Sequence, residues 1–96
     1  MLAVIATIRI RPGLEPQFID IFAARRRRVL REEPETLEYT LYRSASEPVE
    51  FTVVERFPSM DGHRAHLANS TDHEPMMACF DGPPVVQFVT GVDGAC

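Results

Sequence analysis

The 96-residue sequence contains no lysine and no tryptophan, and only two cysteines, Cys79 and Cys96. Two cysteines, one of them terminal, are too few for a disulfide scaffold, and no CxxC pair suggests a thiol redox motif or a zinc knuckle. No apolar run approaches the roughly 18 residues of a membrane span. The N-terminus, MLAVIATIRIRPG, has no basic stretch ahead of its apolar residues and does not read as a signal peptide. These absences predict a cytoplasmic location. Haem, dinucleotide and nucleotide motifs (CxxCH, GxGxxG, P-loop) are also missing, so no cofactor is expected.

All ten basic residues are arginine, and the net charge is −4. Four arginines sit together at Arg25–Arg28, but Glu32, Glu33 and Glu35 follow closely. The plain reading is a solvated helix face with local ion pairs. A nucleic-acid partner is not expected, because that needs an unopposed basic face. The apolar fraction of 45% and charged fraction of 25% are those of an ordinary globular protein, and the length predicts one domain over residues 1–96.

Residues Leu2 to Arg11 are rich in β-branched side chains and predict a strand, punctuated by Pro12-Gly13. From Glu15 to about Glu33 the sequence predicts a helix: Pro16 suits its first turn, Leu14, Phe18, Ile21, Phe22 and Val29 form an apolar stripe, and Pro34 stops it. Thr36–Ser44 and Val49–Phe57 alternate and predict a hairpin. Ser59 is a candidate N-cap for a second helix to about Ser70. A loop or short helical turn is expected over Asp72–Gly82, then a last strand over Val85–Gly91 after Pro83-Pro84.

The order β-α-β-β-α-β is the α+β, ferredoxin-like arrangement: a four-stranded antiparallel sheet with both helices on one face. The strands nevertheless carry apolar residues on both faces, Phe51, Val53 and Phe57 against Val54, and Val86 and Phe88 against Val85 and Val89. A bare face of that kind is an exposed apolar patch, and a second copy of the chain is its simplest cover. The pattern therefore predicts a homodimer through the sheet face.

In order, Arg11-Pro12-Gly13, Glu33-Pro34, Leu37-Glu38-Tyr39, Leu41-Tyr42-Arg43, the stretch Phe51–Ser59 and Ala65-His66-Leu67 resemble the antibiotic biosynthesis monooxygenase family, whose members are dimeric α+β barrels. The likeness covers roughly residues 1–90. It implies a pocket in each subunit and activities that include oxygenation of aromatic polyketide intermediates and quinols without metal or flavin, haem breakdown, and processing of a signalling metabolite. The sequence departs from the family at Glu35, where a glycine is usual, and at Phe57, where a tryptophan is usual. Haem-degrading members carry a first-strand asparagine, here Ala6, and a histidine ligand near Met76–Phe80, where there is none. Haem breakdown is therefore not expected.

His66 matches the family's histidine in the second helix. It is expected to face the pocket as a base or to hold a phenol oxygen; a core histidine bonded to backbone is the alternative. His63 and His73 are expected at the surface or as caps, and with no HExxH spacing no metal site is expected. Glu55 shares a strand face with Phe51, Val53 and Phe57, so it is the second catalytic candidate; a cross-strand ion pair with Arg9 or Arg43 is the alternative. Tyr39 and Tyr42 point to opposite faces, one for the pocket and one for the dimer interface. With Phe51, Phe57 and Phe22 they are the candidate substrate-binding residues. Met60, Met76, Met77 and Phe80 suggest an apolar lid. The expected function is a cofactor-independent monooxygenase acting on a small quinol-like or polyketide-type aromatic. An isomerase or tautomerase using the same His66 and Glu55 without oxygen, or a non-catalytic ligand-binding dimer, are the alternatives; dioxygen uptake separates the first from both.

Overall fold

The protein, seen in a computed structural model, is described over residues 1–70 and 73–96. Its elements run β1 (Leu2–Arg9), α1 (Glu15–Glu32), β2 (Glu38–Arg43), β3 (Glu50–Phe57), α2 (Met60–Ala68), α3 (His73–Met77) and β4 (Val85–Thr90). The four strands form one sheet in the order β2-β3-β1-β4, antiparallel at every pairing. This is the ferredoxin-like α+β fold that the alternation of patterns predicts.

Local chemistry sets the element boundaries. Gly13 adopts a positive φ of 94° after Pro12, a conformation that favours glycine, and turns the chain from β1 towards α1. Pro16 occupies the first turn of α1, where its missing N–H has no intrahelical partner to lose. Glu33 closes the helix as its C-cap, its N–H donating to the Val29 carbonyl at 2.9 Å, and Pro34 prevents continuation. Ser59 is extended at the cap position of α2, but its hydroxyl makes no capping bond. The expected Asp72–Gly82 segment contains the short helix α3; Asp72 itself lies outside the described residues.

The core lies between the sheet and α1. Phe18, Phe22 and Val29 of α1 pack on Ile8, Tyr39, Phe51 and Val53. Each such side chain contributes about 1.5–3 kcal/mol of burial, which anchors the helix against its ordering entropy. Leu2, Val4 and Phe57 form a smaller cluster at the other end. The chain after α3 is tied to the end of β1, since Arg11 N–H donates to Cys79 O at 2.9 Å and Asp81 N–H to Arg9 O at 2.8 Å.

Alternation places Ala3, Ile5, Thr7, Thr52 and Val54 on the opposite sheet face, where no helix among the described residues packs. Arg56 and Glu38 pair there at 2.6 Å. β4 is an edge strand, and Val85, Val86 and Phe88 are exposed in the single chain. Among the described residues no helix is long and apolar enough to cross a membrane.

Candidate functional site

Residues three apart on a helix share a face, and α2 buries Gly62, His63 and His66 on its inner side. His63 is therefore buried, not at the surface or a cap as its sequence context suggests. Its ring packs edge-on to Phe57 and Phe88 at centroid distances of 5.4 and 5.3 Å. Burial, with the neighbouring His66 and Arg64 charges, holds its imidazole below the ordinary histidine range.

His66 is 4% exposed and lies between two carboxylates. Its Nδ1 is 2.6 Å from Glu33 Oε1 and its Nε2 is 3.5 Å from Glu55 Oε1. The Glu33 carboxylate also accepts bonds from Thr36 Oγ1 at 2.8 Å and Asn69 Nδ2 at 2.9 Å. Burial raises the Glu33 carboxyl, but the bonds from Asn69, His66 and Thr36 outweigh it and hold the group below the ordinary carboxylate range. Glu55 has the opposite character. Burial pushes its carboxyl above that range, the His66 and Arg25 charges offset this only in part, and buried Oε1 has no hydrogen-bond partner.

A cavity of about 430 Å³ opens on this pair, between the sheet and all three helices. Val4, Ala6, Ile8 and Val53 form its floor, with Val86 and Phe88 of β4 along one side. Met76, Met77 and Phe80 line it, whereas Met60 is exposed and does not. The polar groups are few: Arg25, Tyr39, Glu55, the three histidines and Ser70. Arg25 is only 2% exposed, so it is not part of a solvated basic face. Its Nε donates to Tyr39 Oη and its Nη2 to Ser70 Oγ, both at 2.8 Å. Such an enclosure, mostly apolar with a few convergent polar groups, suits a small ligand.

The sequence candidates separate accordingly. His66, Glu55 and Tyr39 meet at the cavity. Phe22 stacks behind Tyr39 at 4.7 Å, and Phe57 lies under His66 at 5.8 Å, so both support the wall from the core. Phe51 packs on Phe18 at 5.1 Å, deeper in that core. Tyr42, paired with Thr52, is exposed on the opposite sheet face. The cross-strand ion pairs considered for Glu55 do not form: Arg9 faces Glu50 at 4.0 Å, and Arg43 donates to the Pro48 carbonyl. Glu33, Arg25 and His63 are the site residues that sequence reasoning missed. The signal for Glu33 was its place before Pro34, where a helix ends and the chain turns inward. Among the described residues no group of three or more His, Cys, Asp or Glu side chains could hold a metal ion.

Comparison with known proteins gives this arrangement a context. A Caulobacter crescentus protein described as a candidate antibiotic biosynthesis monooxygenase superposes with a TM-score of 0.90 at 27% identity, over 96% of this chain and 90% of its own. A Bordetella bronchiseptica protein of the same description gives 0.74 at 26% identity, over 95% and 96%. Rv0793 of Mycobacterium tuberculosis gives 0.85 at 23% identity, over 99% and 98%, a likeness of fold. No curated protein matches the sequence. The family model for antibiotic biosynthesis monooxygenase matches residues 1–75, which hold the Glu33–His66–Glu55 cluster and three of the four strands, and the chain belongs to that family.

Proposed function

We propose that residues 1–96 form one domain that acts as a cofactor-independent monooxygenase on a small hydroxylated aromatic of the quinol or polyketide type. The observation that carries this reading is the pairing of His66 Nε2 with an unbonded Glu55 oxygen at the edge of a mostly apolar cavity of about 430 Å³. His66 takes the phenol proton, and the apolar walls keep water away from the anion. Glu55 and Tyr39 hold oxygens of the substrate. Dioxygen adds to an electron-rich ring carbon of the anion. The hydroperoxide so formed loses water, which carries away two substrate hydrogens and one oxygen atom, and leaves a quinone. No external reductant is required, because the substrate supplies the electrons.

Two acid–base groups facing one cavity also suit proton transfer alone, as in a tautomerase. The test is an oxygen electrode with a panel of naphthoquinols and anthrones. Enzyme-dependent oxygen uptake, stoichiometric with quinone formation, is expected. Turnover without oxygen uptake would replace the reading with the tautomerase.

A further inference from the structure

Two spaces with different linings meet at His66. On its Nε2 side is the apolar cavity with Glu55. On its Nδ1 side is a second, separate groove of about 280 Å³, bordered by Glu32, Glu33, Glu35, Thr36 and Asn69. Both spaces include His66 in their walls.

We propose that Glu33 is the positioning residue of the site: from the side of the second groove it fixes His66 as the Nδ1–H tautomer and so presents a bare Nε2 to the cavity. This rests on the proposed role of His66 as a base. The geometry argues it in three steps. Glu33 Oε1 and Oε2 already accept from Thr36 and Asn69, so the carboxylate is held as an acceptor and Nδ1 must donate across the 2.6 Å contact. A neutral imidazole carries one proton, so Nε2 keeps its lone pair. When Nε2 takes a proton from substrate, the imidazolium lies against the Glu33 charge, which stabilises it.

Other groups do not supply this function. On the cavity side, the charged or titratable neighbours are Arg25 of α1, Tyr39 of β2, Glu55 of β3, His63 of α2 and His73 of α3. Among the described residues only Glu33 hydrogen-bonds an imidazole nitrogen of His66. Glu32 and Glu35 border the groove but are exposed, where solvent screens their charge.

The experiment uses ¹⁵N-histidine-labelled protein and long-range ¹H–¹⁵N spectra. Wild type is expected to show His66 protonated at Nδ1, bare at Nε2, with a strongly deshielded Nδ1 proton. Glu33→Gln keeps an acceptor but removes the charge, so the tautomer should persist while the deshielded Nδ1 proton signal shifts upfield as the contact loses its charge assistance. Glu33→Asp should reverse part of that shift, which a purely structural role would not do. On a quinol that wild type turns over, Glu33→Gln should lower kcat roughly tenfold or more with little change in KM. An Nε2–H tautomer in wild type, or an unmoved Nδ1 proton signal in folded Glu33→Gln, overturns the proposal. If no quinol is oxidised, the function reading fails while the spectra still decide the role of Glu33.

Discussion

His66 Nε2 lies 3.5 Å from Glu55 Oε1, while its Nδ1 lies 2.6 Å from Glu33 Oε1. One imidazole thus faces a desolvated carboxylate on one side and a fully hydrogen-bonded one on the other. In the proposed reaction His66 is the base, and its neighbours do not take over that role. His66→Ala is expected to lower turnover of an accepted quinol by roughly a hundredfold, with the fold retained. His63→Ala should instead raise KM, because His63 lines the cavity beside Phe88 without touching Glu33 or Glu55. Steady-state kinetics on the two variants, with circular dichroism as the control, decide this.

The two carboxylates bias stability in opposite directions as pH changes. Glu33 is held below its ordinary value of 4.5, so its stabilisation is present above pH 4.5 and is lost as pH falls below it. Glu55 is held above 4.5, so the folded chain binds its proton more readily, and stability falls as pH rises from 4.5. His63, held below 6.5, makes stability fall as pH drops through that value. Urea unfolding between pH 3 and 8 should show Glu33→Gln with a weaker loss below about pH 4.5. Glu55→Gln should gain most relative to wild type at neutral pH. Identical pH slopes in wild type and both variants would contradict these assignments.

The uncovered sheet face leads to a prediction about assembly. Ile5 and Val54 are paired neighbours on that face, half-buried and without a helix above them. In the proposed sheet-to-sheet homodimer they lie near the centre of the interface. Sedimentation at micromolar concentration should give about twice the 10.8 kDa chain mass. Ile5→Asp should weaken association by about 2 kcal/mol or more, roughly thirtyfold. A monomeric wild type would remove the interface altogether.

How far the sequence reaches depends on what each residue must satisfy. Strand alternation and the stripe Phe18, Phe22, Val29 were readable because burial repeats with the period of the element. The pairing of Tyr39 with the cavity, and of Tyr42 with the opposite face, needed only the knowledge of which face α1 covers. Helical spacing puts Arg25 nearest that stripe, between Phe22 and Val29, but the partners that let Arg25 and Glu33 be buried could not be read from period. Both are charged residues within an apparently balanced run, and their burial depends on partners far along the chain, Tyr39 and Ser70 for one, His66 and Asn69 for the other. Linear charge patterning is blind to such pairings. His63 was misread for a related reason, since its flanking Gly62 and Arg64 look like surface residues.

Gly62 gives the last prediction. A glycine inside a nine-residue helix costs about 1 kcal/mol relative to alanine, so some feature must require it. A Cβ at this position would lie 3.3 Å from Glu35 Cβ and 3.3 Å from Phe57 Cβ. The glycine therefore lets α2 approach β3 and the segment after α1 closely enough for His66 to reach Glu33. Gly62→Ala gains helix propensity but presses on both neighbours, which must yield by a few tenths of an ångström, so its net effect should be within about 1 kcal/mol. Gly62→Val adds two further methyl groups at the same contact and a stiffer helix residue. It is expected to cost about 1–3 kcal/mol in urea unfolding. If close approach is what the glycine provides, the folded Gly62→Val variant will also lose the deshielded His66 Nδ1 proton, because the helix shift lengthens the 2.6 Å contact first. A variant as stable as wild type with that signal intact would show that Gly62 has no part in holding the site together.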